Sequence, residues 1–404
     1  MSDTHKPTSR KDIEAMVRWA VGGGKSLEIL GHGSKRPIGR AVQYDAAMDL
    51  SGLSGIVLYE PQELILSAQA GTPVAEITEL LASKGQELAF EPMDYGPLFG
   101  GAPGRGTIGG IVAANVSGPR RLKAGAARDH LLGAVAVSGR GETIKSGGRV
   151  VKNVTGFDLC KLLAGSWGTL GVLTEVTLKV LPRAPCEATL AVFGLGDREA
   201  AEVMAAGLST PLGVSGAAHL PDHVAAWFDG LDEAEAATLL RIEAASSIDE
   251  CVEALRKAVR PFGATAVLDQ AASRRIWRSI RDARPFRTEG AWGDRPLWRV
   301  STPPMKGHEL AAQISPAAAL FYDWAGGLLW IAPPATQDGS VGDIRRAVAA
   351  VGGHATLVRA GAAARAGIDP FQPESGALAA LTKRVKTNFD PRGVLNPGRM
   401  WAGV

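Results

Sequence analysis

Apolar residues along this chain recur with two periods, one helical and one extended. Ile13, Val17 and Ala20 share one face of a first helix, which Gly22-Gly23-Gly24 ends. Residues 26–30 read as a strand running into Gly31-His32-Gly33-Ser34-Lys35-Arg36-Pro37. The apolar runs 56–59 and 64–68 flank a polar Glu60-Pro61-Gln62-Glu63 turn and predict two strands. Thr72 is placed to cap a helix with Pro73 at its first position, Val74, Ile77 and Leu81 on its buried face and Gly85 at its end. Residues 96–118 form a glycine-rich, nearly uncharged loop and helix. Residues 131–137 and 142–146 predict a hairpin around Gly139-Arg140-Gly141.

The pattern is most informative between residues 152 and 182. Thr155 is a candidate helix cap, with Asp158 in the capping-box position. Phe157, Cys160 and Leu163 follow at helical spacing, and Gly165 can close the helix. The turn Ser166-Trp167-Gly168-Thr169-Leu170-Gly171 comes next. From Glu175 polar and apolar residues alternate, predicting a half-buried strand that Pro182 stops. A helix, a glycine turn and a strand in this order bring bare backbone to a surface, and Gly168 and Gly171 give a ligand room to approach it.

Pro182-Arg183-Ala184-Pro185 is a linker, and the pattern changes beyond it. Strands at 187–193, 237–243, 296–301 and 328–332 alternate with helical segments at 196–207, 247–260, 271–282 and 340–350. This predicts an α+β domain on an open sheet. From near Leu381 a helix leads into a turn-rich tail, too rigid in composition for a frayed end.

Composition narrows the function classes. With 404 residues, 46% hydrophobic and 21% charged, the chain can bury a large core in two or three domains. A net charge of +3 gives no electrostatic support for nucleic-acid binding. Cys160, Cys186 and Cys251 are too few and too scattered for a disulfide framework or a four-cysteine cluster. Residues 1–20 lack an apolar signal region, and no run of about 18 uncharged apolar residues occurs. A cytoplasmic protein is the expectation. Gly104-Arg105-Gly106-Thr107-Ile108-Gly109 matches a dinucleotide fingerprint in spacing, but the residues before it do not form the strand that motif needs. The histidines show no metal-binding spacing, so no metal is expected.

Between positions 274 and 299 every basic residue is an arginine, with Trp277, Trp292 and Trp298 interleaved. Guanidinium forks match carboxylates, so one or two of these, Arg281 and Arg299 above all, are candidates to clamp an anionic substrate. The others read as a solvated face.

Four segments in order, Gly31-His32-Gly33-Ser34-Lys35, Ala70-Gly71-Thr72, Gly106-Thr107-Ile108-Gly109-Gly110 with Asn115, Ser117 and Gly118, and Gly165-Ser166-Trp167-Gly168-Thr169-Leu170-Gly171-Val172, resemble the FAD-binding domain of the vanillyl-alcohol oxidase superfamily. The tail Asp390-Pro391-Arg392-Gly393-Val394-Leu395-Asn396-Pro397-Gly398-Arg399 is similar to the terminal motif of its glycolate oxidase and D-lactate dehydrogenase branch. Lys152-Asn153-Val154-Thr155-Gly156-Phe157-Asp158, Leu297-Trp298-Arg299-Val300-Ser301 and residues 353–360 narrow the resemblance to the FAD-binding E subunits of glycolate oxidase.

The resemblance implies an α+β flavoprotein. It has a PCMH-type FAD-binding domain of two subdomains at 1–182, an α+β cap at 186–380, and a tail at 381–404 returning to the FAD domain. The segments 31–35 and 106–110, with Gly71, would wrap the FAD pyrophosphate, held non-covalently. Residues 168–172 would run along the cofactor, and Asn396 and Arg399 would close the site. The implied activity is oxidation of glycolate to glyoxylate, with electrons passed to a D-type flavoprotein subunit and an F-type iron–sulfur subunit. Any attachment to the inner membrane would run through those partners. The histidine-rich metal motif and the Glu-His-Gly triplet of the D-type relatives are missing, and His354 is the only candidate base. Two alternatives stand: a self-sufficient FAD-dependent D-2-hydroxy-acid dehydrogenase, and a non-catalytic FAD-binding subunit. Trp227, Phe228, Trp292 and Trp324 are candidates for a partner surface on the cap or for its core.

Overall fold

A computed structural model describes residues 3–149, 157–228, 231, 235–336 and 338–404. Among the described residues, three sheets of three or more strands carry the architecture. A small parallel sheet orders Asp3–His5, Ala46–Asp49 and Leu27–Leu30. The helix Arg10–Gly23 buries Ile13, Val17 and Ala20, and Gly24 closes it in the left-handed conformation at φ 58°. A five-stranded antiparallel sheet follows in the order Ile56–Glu60, Ile65–Gln69, Val172–Lys179, Leu131–Val137, Thr143–Gly147.

Val172–Lys179 is the central strand of that sheet and is mostly buried on both faces, not half-buried as its alternation predicts. Its threonines can be buried because they are hydrogen-bonded. Thr177 Oγ1 meets Ser67 Oγ at 2.7 Å, and Thr174 Oγ1 donates to the Val135 carbonyl. The helix before it is shorter than its spacing suggests, Leu159–Leu163. Asp158 caps it by accepting from the Lys161 N–H, and Phe157 lies outside it, exposed. Thr155 falls outside the described residues, as does the run Lys152-Asn153-Val154-Thr155-Gly156. Thr72 also does not cap. Pro73 takes the cap position, while Thr72 Oγ1 donates to the Gln69 carbonyl and accepts from the Gly55 N–H.

The cap is built on an eight-stranded sheet whose paired strands are all antiparallel. Its order is Thr265–Leu268, Cys186–Phe193, Ala237–Ala244, Val214–Leu220, Ala319–Asp323, Leu328–Ala332, Leu297–Ser301, His354–Arg359. The four predicted strands are present, and four more lie between or beside them. Val214–Leu220, for example, is entirely buried but rich in glycine and alanine, which carry little strand signal. Phe228 and Trp324 are buried in the cap core, Trp292 packs on Phe286, and Trp227 stays 40% exposed.

A continuous apolar cluster runs from Phe90 and Leu98 to Trp277, Phe286 and Trp330, so the N-terminal part and the part built on the eight-stranded sheet share a core. Charges lock the same junction. Arg241 holds Glu91 through two bonds of 2.9 Å, and Arg120 pairs with Glu87 and Glu243. Burial pushes the Glu91 carboxyl up, but Arg241 and Arg120 outweigh it and hold it down at about 2. The last helix, Gly376–Phe389, starts ahead of the expected Leu381 and buries only Lys386. The tail then runs beside the strand Leu27–Leu30: the Leu27 N–H donates to the Val394 carbonyl, and the Asn396 N–H donates to the Leu27 carbonyl.

Candidate functional site

A slot opens where the strand Leu27–Leu30 ends. The chain turns through residues 31–36, with Gly33 at φ 74°, and the Arg36 N–H closes the turn on the Gly33 carbonyl. Among the described residues, the N–H groups of His32, Gly33, Ser34 and Lys35 find no protein acceptor. Thr107, which caps the helix Ile108–Ala113, forms the opposite wall with Gly109 and Gly110. A Cβ on Gly31 would stand 2.5 Å from Thr107 Oγ1, and one on Gly109 would stand 2.6 Å from the Ala70 Cβ. Only glycine permits this approach. Trp167, Gly168 and Gly171 complete the lining.

Two buried cations face the slot. Lys35 has no carboxylate within salt-bridge distance among the described residues; burial, with Arg399 nearby, lowers its ammonium to about 8. Arg399 donates to the Lys35 and Ile38 carbonyls and lies 5.7 Å from the Trp167 ring, and burial lowers it too. Free N–H groups, a glycine floor and two desolvated cations form a cradle suited to a polyanion such as a diphosphate.

The slot leads into a larger cavity of about 570 Å³ between the N-terminal part and the part built on the eight-stranded sheet; Ala114 and Trp167 line both. Arg299 reaches it from Leu297–Ser301, its guanidinium 4.8 Å from the Trp324 ring and 6.0 Å from Trp330. His354 begins the neighbouring strand and opens its ring to the cavity, although the protein around it removes much of its hydration. That desolvation, then Arg299, Arg121 and Arg345, hold the imidazole below its ordinary range. Arg281 reaches the wall from the helix Gln270–Arg281, but both arms of its fork lie on Asp282 at 2.8 Å.

The chain is similar to known proteins along most of its length. A family described as an FAD binding domain matches residues 4–147. The glycolate oxidase subunit GlcE of Escherichia coli (strain K12) is 34% identical over 387 residues, covering 96% of this chain and 95% of that protein. The chain belongs to the GlcE family. It is an FAD-binding oxidoreductase, and the cradle fits the cofactor's diphosphate in charge and donor chemistry. The glycolate oxidase subunit GlcD of Bacillus subtilis (strain 168) is 33% identical over 138 residues, 34% of this chain and 28% of that one. An alkyldihydroxyacetonephosphate synthase, 15% identical, superposes with a TM-score of 0.69 over 98% of this chain and 75% of its own, which places this chain in that fold. Among the described residues no helix is long and apolar enough to cross a membrane, and no group of side chains could hold a metal ion.

The structure sorts the residues expected around FAD into three sets. Gly31, His32, Gly33, Ser34, Lys35, Thr107, Gly109, Gly110, Gly168, Gly171 and Arg399 line the slot. Asn115, Ser117 and Gly118 line the cavity instead; Asn115 accepts from the Arg128 N–H and Ser117 from the Ala127 N–H. The rest lie behind the walls. Gly71 packs on the Leu50 carbonyl, the Gly106 carbonyl accepts from Val74, and Ile108, Leu170 and Val172 are core. The Thr169 carbonyl receives Lys386 Nζ. Asn396 bonds backbone on both sides of the slot.

Three cavity groups escape sequence reasoning. Arg121 stacks 4.4 Å from Trp324. Asp323 is 2% exposed, and burial pushes its carboxyl up to about 7 against the pull of the Trp324 N–H. Tyr95 lies 6.0 Å from Lys35 Nζ. None sits in a recognisable motif, because chain segments far apart in sequence bring them together.

Proposed function

We propose that this chain is the FAD-carrying subunit of a glycolate-oxidising complex. Glycolate gives up two electrons to become glyoxylate, and the subunit hands the electrons to partner proteins. The observation that carries the reading is the likeness to E. coli GlcE across 96% of the chain, cap as well as FAD domain. FAD, when bound, supplies the two-electron acceptor. Residues 31–35, Thr107, Gly109, Gly110 and Arg399 hold its diphosphate without a covalent link, and Asn396 fixes the slot from behind. Arg299 takes the substrate carboxylate, and the neutral His354 is available for the hydroxyl proton. The unit boundaries proposed are 1–182, 186–380 and 381–404.

The partners proposed are a D-type flavoprotein and an F-type iron–sulfur subunit, with any membrane attachment made through them. Among the described residues no group of three or more His, Cys, Asp or Glu is placed to hold a metal ion. The test is dye-linked glycolate oxidation by the FAD-loaded chain, alone and co-expressed with both partners. Little turnover alone and full turnover in the assembly is expected. Full turnover by the single chain would favour the self-sufficient dehydrogenase, a reading encouraged by the cation-lined cavity that this chain builds by itself. Binding without turnover in either setting would leave a structural subunit.

A further inference from the structure

Trp324 carries an arginine from each side of the domain junction. Arg121, on the short helix Arg121–Ala124 of the FAD domain, has its guanidinium carbon 4.4 Å from the ring centroid; Arg299, on the cap sheet, is at 4.8 Å. The ring is fixed, 4% exposed, with its indole N–H donating to the Gly118 carbonyl at 2.9 Å. Both arginines line the cavity, and among the described residues neither has a hydrogen bond from its guanidinium or a carboxylate within salt-bridge distance.

Two like charges held near one ring repel, and stacking on an indole offsets only part of that cost. The other charges on the cavity wall do not neutralise them. Arg281 is committed to Asp282, and Arg128 pairs loosely with Asp129. Asp323 faces inward beside Trp324 but carries no full negative charge near neutral pH, and Glu374 accepts from Thr382. Neither carboxylate lies within salt-bridge distance of Arg121 or Arg299, so both guanidinium groups are left without an anionic partner among the described residues.

We propose that Arg121 and Arg299 together form the carboxylate subsite of this cavity, a clamp whose two halves come from different domains. It takes small carboxylates, and a neutral diol of the same size is refused because it leaves both guanidinium groups unpaired. Bound anion ties the cap to the FAD domain. The inference rests on the hydroxy-acid reading above and replaces Arg281 by Arg121 as partner of Arg299.

The test uses the FAD-loaded full chain titrated with acetate, oxalate, glycolate and ethylene glycol. Binding is read from the flavin absorption spectrum and from thermal stability, and flavin content is read separately. The parent should respond to the three carboxylates and not to ethylene glycol. Arg121→Gln and Arg299→Gln should each weaken oxalate at least tenfold with flavin content unchanged, while Arg198→Gln, at an exposed position off the cavity, should match the parent. Arg121→Lys, which keeps charge but loses the fork, should fall between. Oxalate affinity within twofold of the parent in Arg121→Gln, or equal binding of ethylene glycol, overturns the clamp. Loss of FAD in both Arg121 variants also overturns it, because the residue would then serve the cofactor. Carboxylate binding through both arginines, with no glycolate turnover in the assembled complex, would remove the glycolate reading and leave the clamp standing.

Discussion

The side-chain amide of Asn396 donates to the Trp167 carbonyl, 2.8 Å away and 229 positions earlier in the chain. Its Oδ1 accepts from the Ile29 N–H at 2.8 Å, so one tail residue joins the strand entering the cofactor loop to the glycine turn on the other wall. Asn396 holds φ 42°, a left-handed backbone that asparagine tolerates better than most residues. A Cβ on Gly168 would stand 2.8 Å from Asn396 Nδ2, so the turn has room for no side chain there. Asn396→Ala leaves two backbone groups unpaired, at a cost of about 1–3 kcal/mol. FAD should dissociate faster and the melting temperature should drop by several degrees. Unchanged flavin release by fluorescence would show that the tail does not govern the slot.

Lys35 gives the slot a pH signature. Its ammonium is lowered from 10.5 to about 8 by burial. A lysine depressed in the folded state contributes stability that is present above the unfolded value and lost as pH falls through the folded one. The flavin-free protein should therefore gain stability between about pH 8 and 10.5. A bound diphosphate favours the charged form, so FAD affinity should weaken as pH rises above 8. Lys35→Met should flatten that profile and weaken FAD at pH 7 by roughly tenfold or more, as expected for a lost charge-assisted bond. The flavin-free variant should be at least as stable as the parent at pH 7. Equilibrium dialysis against FAD from pH 7 to 9.5 checks the first part, and thermal melts check the second.

How much of this is legible in the sequence depends on whether a feature is local. The helix holding Ile13, Val17 and Ala20, the glycine loop at residues 31–33 and the cap strands such as Leu328–Ala332 follow from nearest-neighbour chemistry and are readable. Val172–Lys179 reads as half-buried because its threonines are satisfied by partners on other strands, which periodicity cannot register. The cofactor slot is largely legible, because close backbone approach demands glycine. The substrate cavity is not: Arg121 and Arg299 lie far apart in sequence and meet only at Trp324. Arg281, attractive in sequence, sits next to its own counter-ion Asp282.

Two slot glycines separate packing from ligand approach. A Cβ on Gly109 would clash with Ala70 at 2.6 Å from its Cβ and 2.8 Å from its carbonyl oxygen. A Cβ on Gly171 meets nothing closer than the Val137 carbonyl at 3.4 Å, an ordinary contact. Gly109→Ala should therefore lower the melting temperature even without FAD. Gly171→Ala should leave the flavin-free protein near the parent, so any loss of flavin there reports on the slot itself. Thermal melts of the flavin-free proteins, followed by FAD titration, distinguish the two; equal destabilisation would contradict the assignment.

Asp323 supplies the opposite pH dependence. Its carboxyl is pushed up to about 7, chiefly by burial, with Trp324, Arg241 and Arg299 pulling it down and Glu91 adding to the rise. In the unfolded chain it titrates near 4, so between about pH 4 and 7 the folded protein holds a proton that the unfolded chain gives up. Its contribution to stability is complete below about pH 4 and lost as pH rises through 7. Above that, the fold carries an ionised buried carboxylate at a cost of up to roughly 4 kcal/mol. The amide introduced by Asp323→Asn never ionises, and its carbonyl can still accept from the Trp324 N–H. The variant should melt several degrees above the parent at pH 8. The gap should narrow steadily toward pH 5, because the parent is then protonated where the variant is neutral already. Melting curves of both proteins across pH 5–8, without ligand, read this directly. A gap of constant size over that range would mean that Asp323 does not titrate there, being ionised throughout if the variant stays the more stable and protonated throughout if the two proteins melt together.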